Sequence, residues 1–366
     1  MKICIIGGGI VGCAAAYFLS KSGHSVELFE KDTIGSHASG FALGSLLPPS
    51  APKEEPIAML SDLSLQLHAE IAELSVRNGL STDFRKKSSI VLATTPSKCE
   101  ELKNLSERHA SDLTSKYRWL EPTELSHIEA RITDKVMGGL YFDGSYEVDS
   151  RSICFSLWQM AEQKGADLNN SNVEELEIIN GSVKGVRTNK GSFDFDYVIV
   201  AAGPWTKPLL QTVGINVPVN PQKGQILRLK PIGPDIDVSI WWEGNYITSK
   251  PDGLIWLGTT EEDIGFNENV TEFGRDTIIQ SAADIFPFVK SLDLVKQTAC
   301  LRPVTPDLQP VIEDLSYLIK GLIVCSGGSR NGILFGPAMG LLASEMILSQ
   351  QTSIEISNWS INRFEN

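Results

Sequence analysis

Cysteine is sparse and has no pairing pattern: six residues, at 4, 13, 99, 154, 300 and 325, with no C-x-x-C among them. That excludes a disulfide framework and fits a reduced compartment. The five histidines lack ligand spacing, so a metal site is not expected. No stretch is long and apolar enough to span a bilayer. The apolar start is not read as a signal peptide, because Gly7-Gly8-Gly9 interrupts it. Positive charge is in deficit, with 32 Lys and Arg against 45 Asp and Glu and a net charge of −13. This argues against nucleic acid or an anionic membrane surface as a partner. A small anion must then be held by local positive charge. Repeats and low-complexity segments are also missing. A soluble cytoplasmic chain is expected, and 366 residues suffice for two domains or for one with a second inserted.

What is present is concentrated in residues 1–30. Ile3 to Ile6 form the short apolar run of a buried parallel strand. Gly7, Gly9 and Gly12 then make G-x-G-x-x-G, followed by the small, helix-compatible run Cys13 to Leu19. Val26, Leu28 and Phe29 make a second strand ending in Glu30. The glycines allow a tight turn, close approach to a pyrophosphate and close helix packing. The helix N-terminus offers free N–H groups to phosphate. Glu30 is placed to accept from a ribose hydroxyl, which disfavours NADP and leaves FAD or NAD.

Further along, Lys31 to Ser50 reads as a loop of small residues, and Leu60 to Gly79 as an amphipathic helix. Ser88 to Thr94 reads as a strand and Pro96 to Arg108 as a helix. A capped helix follows Trp119, with Thr123 as N-cap. Ser150 to Lys164 is helical. Ala166 to Ile179 and Ser182 to Thr188 are strands joined by an Asn180-Gly181 turn. Phe195 to Ala202 is a buried strand. Val219 to Leu229, Ile236 to Trp242, Tyr246 to Ser249 and Leu254 to Thr260 suggest an antiparallel sheet, and Thr271 to Phe286 a helix. Leu322 to Cys325 returns to a buried strand, with a helix from about Pro337 to Leu348. Both ends of the sequence therefore belong to one domain, with an antiparallel middle inserted.

The chain resembles the D-amino-acid oxidase superfamily of FAD enzymes, and most closely its glycine oxidase branch. The resemblance rests on residues 7–12, on Ala201-Ala202-Gly203-Pro204-Trp205 and on Lys223-Gly224-Gln225. It rests most of all on residues 301–307 (LRPVTPD) and 328–334 (GSRNGIL). The resemblance implies an α/β Rossmann-like FAD-binding domain over residues 1–80, 140–215 and 300–366. Residues 81–139 and 216–299 would form the substrate domain. It implies that FAD is bound by Gly7, Gly9, Ile10, Val11, Gly12, Glu30, Lys31, Ala38, Ser39, Leu43, Gly44, Ser45, Val173, Ala202, Gly203 and Trp205. Gly328, Ser329, Arg330, Asn331, Gly332, Ile333 and Leu334 would run beneath the flavin. Arg302 would bind a substrate carboxylate, with Tyr246 and Arg330 beside it.

The residues themselves support Arg302, since a guanidinium matches a carboxylate with two parallel hydrogen bonds. For Arg330 an ion pair with a protein carboxylate is the competing reading, and for Tyr246 simple packing in a strand. Cys300 stands where sarcosine oxidases carry a flavin-linked cysteine, and a buried core cysteine is the alternative. Three positions depart from the family pattern: Leu47 is bulky near the entrance, Glu261 is acidic in a usually apolar place, and Glu313 replaces a glycine. The expected reaction is oxidation of glycine or another small amino acid, with oxygen or another acceptor taking the electrons. A dehydrogenase, or a flavoprotein subunit needing a partner, is the alternative, and a homo-oligomer is left open.

Overall fold

A computed structural model describes residues 1–46, 55–108, 117–348 and 351–364. Its organising element is a six-stranded sheet in the order 311–314, 322–326, 197–200, 2–6, 25–29, 167–169. All pairings are parallel except that between Val311–Asp314 and Leu322–Ser326. The strand Lys2–Ile6 is buried on both faces: Ile3 and Ile5 pack into one apolar cluster, Cys4 and Ile6 into another. From this strand the chain proceeds to Ser25–Phe29 on one side, and later to Tyr197–Val200 on the other. The crevice between 2–6 and 197–200 is the reversal point at which open α/β sheets bind ligands.

Helix Ile10–Lys21 covers one face, packed against helices Ser150–Glu162 and Gly332–Ile347. Helix Ile57–Arg77 closes that layer, turning Leu60, Leu67 and Ile71 inward. The segment read as one strand from Ala166 to Ile179 divides in two. Asp167–Asn169 joins the large sheet, whereas Val173–Ile179 starts a three-stranded antiparallel sheet with Ser182–Thr188 and Gly191–Asp194. Asn180 and Gly181, at φ 51° and 71°, make the expected hairpin turn between them.

The second large sheet has eight strands, ordered 294–304, 220–229, 255–258, 245–249, 239–242, 89–93, 138–142, 117–120. It is mixed, not purely antiparallel, because Ser239–Trp242 runs parallel to Ser89–Ala93. Leu294–Val304, absent from the sequence reading, is its long edge strand. An edge tolerates Pro303, which has no N–H to give. Helix Glu272–Ala283 covers one face through Ile278 and Ala282.

Two helix starts differ from expectation. Glu121, not Thr123, caps Pro122–Ile128, through a capping box with Glu124. The last helix begins at Gly332 and runs through Pro337. Among the described residues, no helix is long and apolar enough to cross a membrane.

Candidate active site

A large cavity, about 1060 Å³, opens at the carboxyl ends of strands 2–6, 197–200 and 322–326 and extends beneath the eight-stranded sheet. Its walls bring together residues 7–11, 30–31, 38–39, 43–45, 173, 202–203, 205 and 328–333, with Tyr246, Cys300 and Arg302 at the far end. Two expected contact residues stand back. Gly12 is buried under the turn, where a Cβ would lie 1.9 Å from the Gly7 oxygen. Leu334 points into the apolar core beneath the helices. Leu47 lies outside the described residues.

At one end, Gly7 adopts φ +110° with its Cα against the Ala201 carbonyl, a conformation that favours glycine. Helix Ile10–Lys21 starts at the cavity wall with no acidic residue in its first turn, so its positive end is free to meet an anion. Glu30 is buried. Its Oε2 accepts from the Gly8 N–H at 2.8 Å and its Oε1 from the Asp32 N–H at 2.9 Å. Two further lone pairs of that carboxylate are left for a ligand hydroxyl. Trp205 forms part of the rim, with the Lys31 Nζ 3.6 Å above its ring and the His37 ring 4.8 Å away. Ligand atoms of Glu30, Asp32 and His37 come within 4.8 Å of one another. All three are already engaged, His37 with Asp32 at 2.8 Å and with Glu268 at 3.2 Å.

At the other end lies Arg302, opposite Gln222 in the edge pairing. Its guanidinium crosses Gly224, where a Cβ would stand 2.3 Å from Nη2. Nη1 donates to the Thr260 carbonyl at 3.1 Å and Nη2 to Thr259 Oγ1 at 2.8 Å. Burial pulls its pKa down, but an arginine remains charged. Among the described residues no carboxylate lies within 4.0 Å of it. Tyr246 is buried and lines the cavity, and its hydroxyl has no hydrogen-bond partner among the described residues. Burial raises its pKa, so it stays a phenol. Trp241, 5.2 Å from Tyr246, carries a second unpartnered donor, Nε1, at this wall.

Thr259 and Thr260 were not singled out from the sequence, and neither was Trp241. The two threonines rest on a buried polar cluster. Thr259 Oγ1 also donates to the Gln225 carbonyl at 3.0 Å, and Thr260 Oγ1 donates to Glu262 at 2.7 Å. Glu262 takes a further bond from Gln225 and pairs at 2.9 Å with Lys223, which has no exposed side-chain surface. Lys223-Gly224-Gln225 is thus a platform under Arg302.

Arg330 does pair with a protein carboxylate, Glu261, at 2.8 Å, while also lining the cavity. Glu313 stays clear of the cavity and holds the C-terminal segment, accepting from the Ser360 hydroxyl and the Ile361 N–H, both at 2.7 Å. Cys300 is buried at the wall with its thiol pKa raised by burial.

The arrangement suits an extended ligand with an anionic middle and a carboxylate-bearing molecule at the arginine. The chain is 29% identical to a glycine oxidase of Geobacillus kaustophilus, over 99% of this chain and 96% of that one. It is likewise 29% identical to a bifunctional protein ThiO/ThiG of Trichormus variabilis, of which it covers 55%. The crystal structure of the Geobacillus kaustophilus glycine oxidase superposes with a TM-score of 0.92 at 28% identity, covering 99% of this chain and 98% of that one. The model of the DAO family, FAD dependent oxidoreductases, matches residues 2–346. FAD is the cofactor, and the chain belongs to the DAO family of FAD-dependent oxidoreductases.

Proposed function

We propose that this oxidoreductase acts on glycine or another small amino acid, or on an N-substituted glycine, converting the amine to an imine that water hydrolyses to a 2-oxo acid. One observation carries the reading: the guanidinium of Arg302 lines the cavity with no carboxylate of the described residues within 4.0 Å. In this reading residues 1–80, 140–215 and 300–366 hold the cofactor, and 81–139 with 216–299 shape the substrate side. The peptide turn at residues 7–11 and the start of helix Ile10–Lys21 would take the pyrophosphate, and Glu30 the ribose. Residues 328–333 would pass under the flavin ring.

Bound FAD supplies the two-electron acceptor for hydride leaving the substrate Cα. Arg302 fixes the carboxylate, and with it the direction of the Cα–H bond. Thr259 and Thr260 fix Arg302. Tyr246 and Trp241 offer hydrogen-bond donors within an otherwise apolar wall that also contains Ile226. Tyr246 and Cys300 both keep their protons, so neither takes the proton from an ammonium substrate. On this reading the substrate amine reacts in its neutral form, so activity should rise with pH as that amine deprotonates.

The test is an assay of the yellow protein against glycine, sarcosine, D-alanine and D-proline. Oxygen and an artificial dye serve as acceptors, and peroxide, ammonia or amine, and oxo acid are measured. Turnover of at least one substrate is expected. A flavin that no member of the panel reduces under anaerobic conditions would overturn the assignment.

A further inference from the structure

Two guanidiniums reach the cavity, and they differ in what surrounds them. Among the described residues Arg302 has a threonine hydroxyl and a carbonyl as hydrogen-bond partners. Arg330 donates from Nη1 to Glu261 Oε1 at 2.8 Å and from Nη2 to the Gly244 carbonyl at 2.5 Å. Arg330 belongs to the glycine-rich segment after strand 322–326. Gly244 is the tip of the hairpin between Ser239–Trp242 and Asn245–Ser249, and Glu261 follows strand Ile255–Gly258. Both terminal nitrogens of the Arg330 fork thereby each give an N–H to the protein, so a ligand carboxylate there competes with Glu261. Glu261 itself is not part of the cavity wall.

We infer that Glu261 is a specificity-determining residue: by pairing with Arg330, it leaves Arg302 as the one guanidinium of the cavity wall without a carboxylate partner among the described residues, so that the pocket accepts amino acids with one carboxylate and rejects those with two. The inference rests on the reading of Arg302 as the carboxylate anchor. A ligand with one carboxylate engages Arg302 and meets no net charge at Arg330. A ligand with a second carboxylate must displace Glu261 from Arg330 and then lie beside the displaced acid. Like-charge contacts of this kind act mainly by suppressing the wrong partner. With Glu261 uncharged, Arg330 becomes a second anion site.

Glu261→Gln keeps the shape and removes the charge. Acetate and malonate, which differ by one carboxylate, are titrated into the FAD-loaded wild type and variant by calorimetry. Malonate should bind about tenfold tighter to Glu261→Gln, as expected for a partly exposed charge contact, with acetate unchanged. In turnover, the kcat/KM ratio of D-aspartate to D-alanine should rise by a similar factor. The gain should vanish in the double variant Glu261→Gln/Arg330→Ala. Malonate binding no tighter to Glu261→Gln, or a gain that survives loss of Arg330, overturns the inference. The titration decides this even if no amino acid is turned over, an outcome that would count against the proposed reaction alone.

Discussion

The Nε2–H of His68 donates to the main-chain oxygen of Ile333, 2.9 Å away, and that oxygen is the one Pro337 leaves without a helical donor. An α-helix carbonyl accepts from the N–H four residues on, and proline has none. One turn earlier in the same helix, Ser64 Oγ accepts from the Ala338 N–H at 3.2 Å. Two side chains of helix Ile57–Arg77 thus repair the helix that begins at the cavity.

His68 is buried, its Nδ1 has no partner among the described residues, and burial lowers its pKa from 6.5 to about 4. The unfolded chain therefore takes up a proton in a range where the folded one does not. The contribution is full above pH 6.5 and is lost as pH falls towards 4, reaching about 2 kcal/mol at pH 5 and roughly 3 kcal/mol in all. Urea unfolding at pH 7.5 and pH 5 should show this loss, and His68→Gln should flatten it. An unchanged slope in the variant would show that another group is responsible.

The fingerprint glycines should fail differently. A Cβ on Gly9 meets only Ser39 Oγ, at 3.1 Å, whereas one on Gly12 would sit 1.9 Å from the Gly7 oxygen. Gly9→Val should fold and come out colourless, because its branches occupy the phosphate space. Gly12→Val should be insoluble or strongly destabilised. A yellow, active Gly9→Val protein would sink the placement of the pyrophosphate.

Arg302→Ala should retain FAD and lower kcat/KM by about 2–4 kcal/mol, or ~30- to 1000-fold, by removing a charge-assisted, two-bond contact. Arg302→Lys should recover only part of it, because an ammonium cannot form the fork. Wild-type kcat/KM in Arg302→Ala would mean that the carboxylate is held elsewhere.

Cys300, a buried thiol held protonated by its surroundings, should carry no covalent flavin, since the thiolate is the nucleophile. After acid precipitation all flavin absorbance should be in the supernatant. Colour in the pellet that Cys300→Ser abolishes would reverse this.

The nucleotide end was legible because its signals are local. Residues 3–30 carry strand, turn, helix and acid in order, and the structure brings residues 7–11 and 30 to one wall. Arg302 was legible as a residue type, but its support was not. Thr259 and Thr260 meet it across strand pairings more than forty residues apart in sequence, and no spacing rule encodes that. The helix start was misjudged for a related reason. Proline favours the first helical turn, but here His68 and Ser64, far upstream, satisfy what Pro337 disrupts. Thr123 lost to Glu121 because Pro122 already marks the first helical position. Glu261 stood out as an acid in a usually apolar place, but its pairing with Arg330, 69 residues away, was not legible.

The strand Lys2–Ile6 pairs with Tyr197–Val200, and helix Ile10–Lys21 packs on Gly332–Ile347. During translation the fingerprint therefore emerges long before the segments that wall it in. Helix Ser150–Glu162 covers part of Ile10–Lys21 earlier, but the face that meets Gly332–Ile347 is covered only once residues near 340 have been added, and the cavity lacks the wall supplied by residues 325–333 before then. A complete wall around the cofactor cavity therefore exists only once the C-terminal segment has been made and folded.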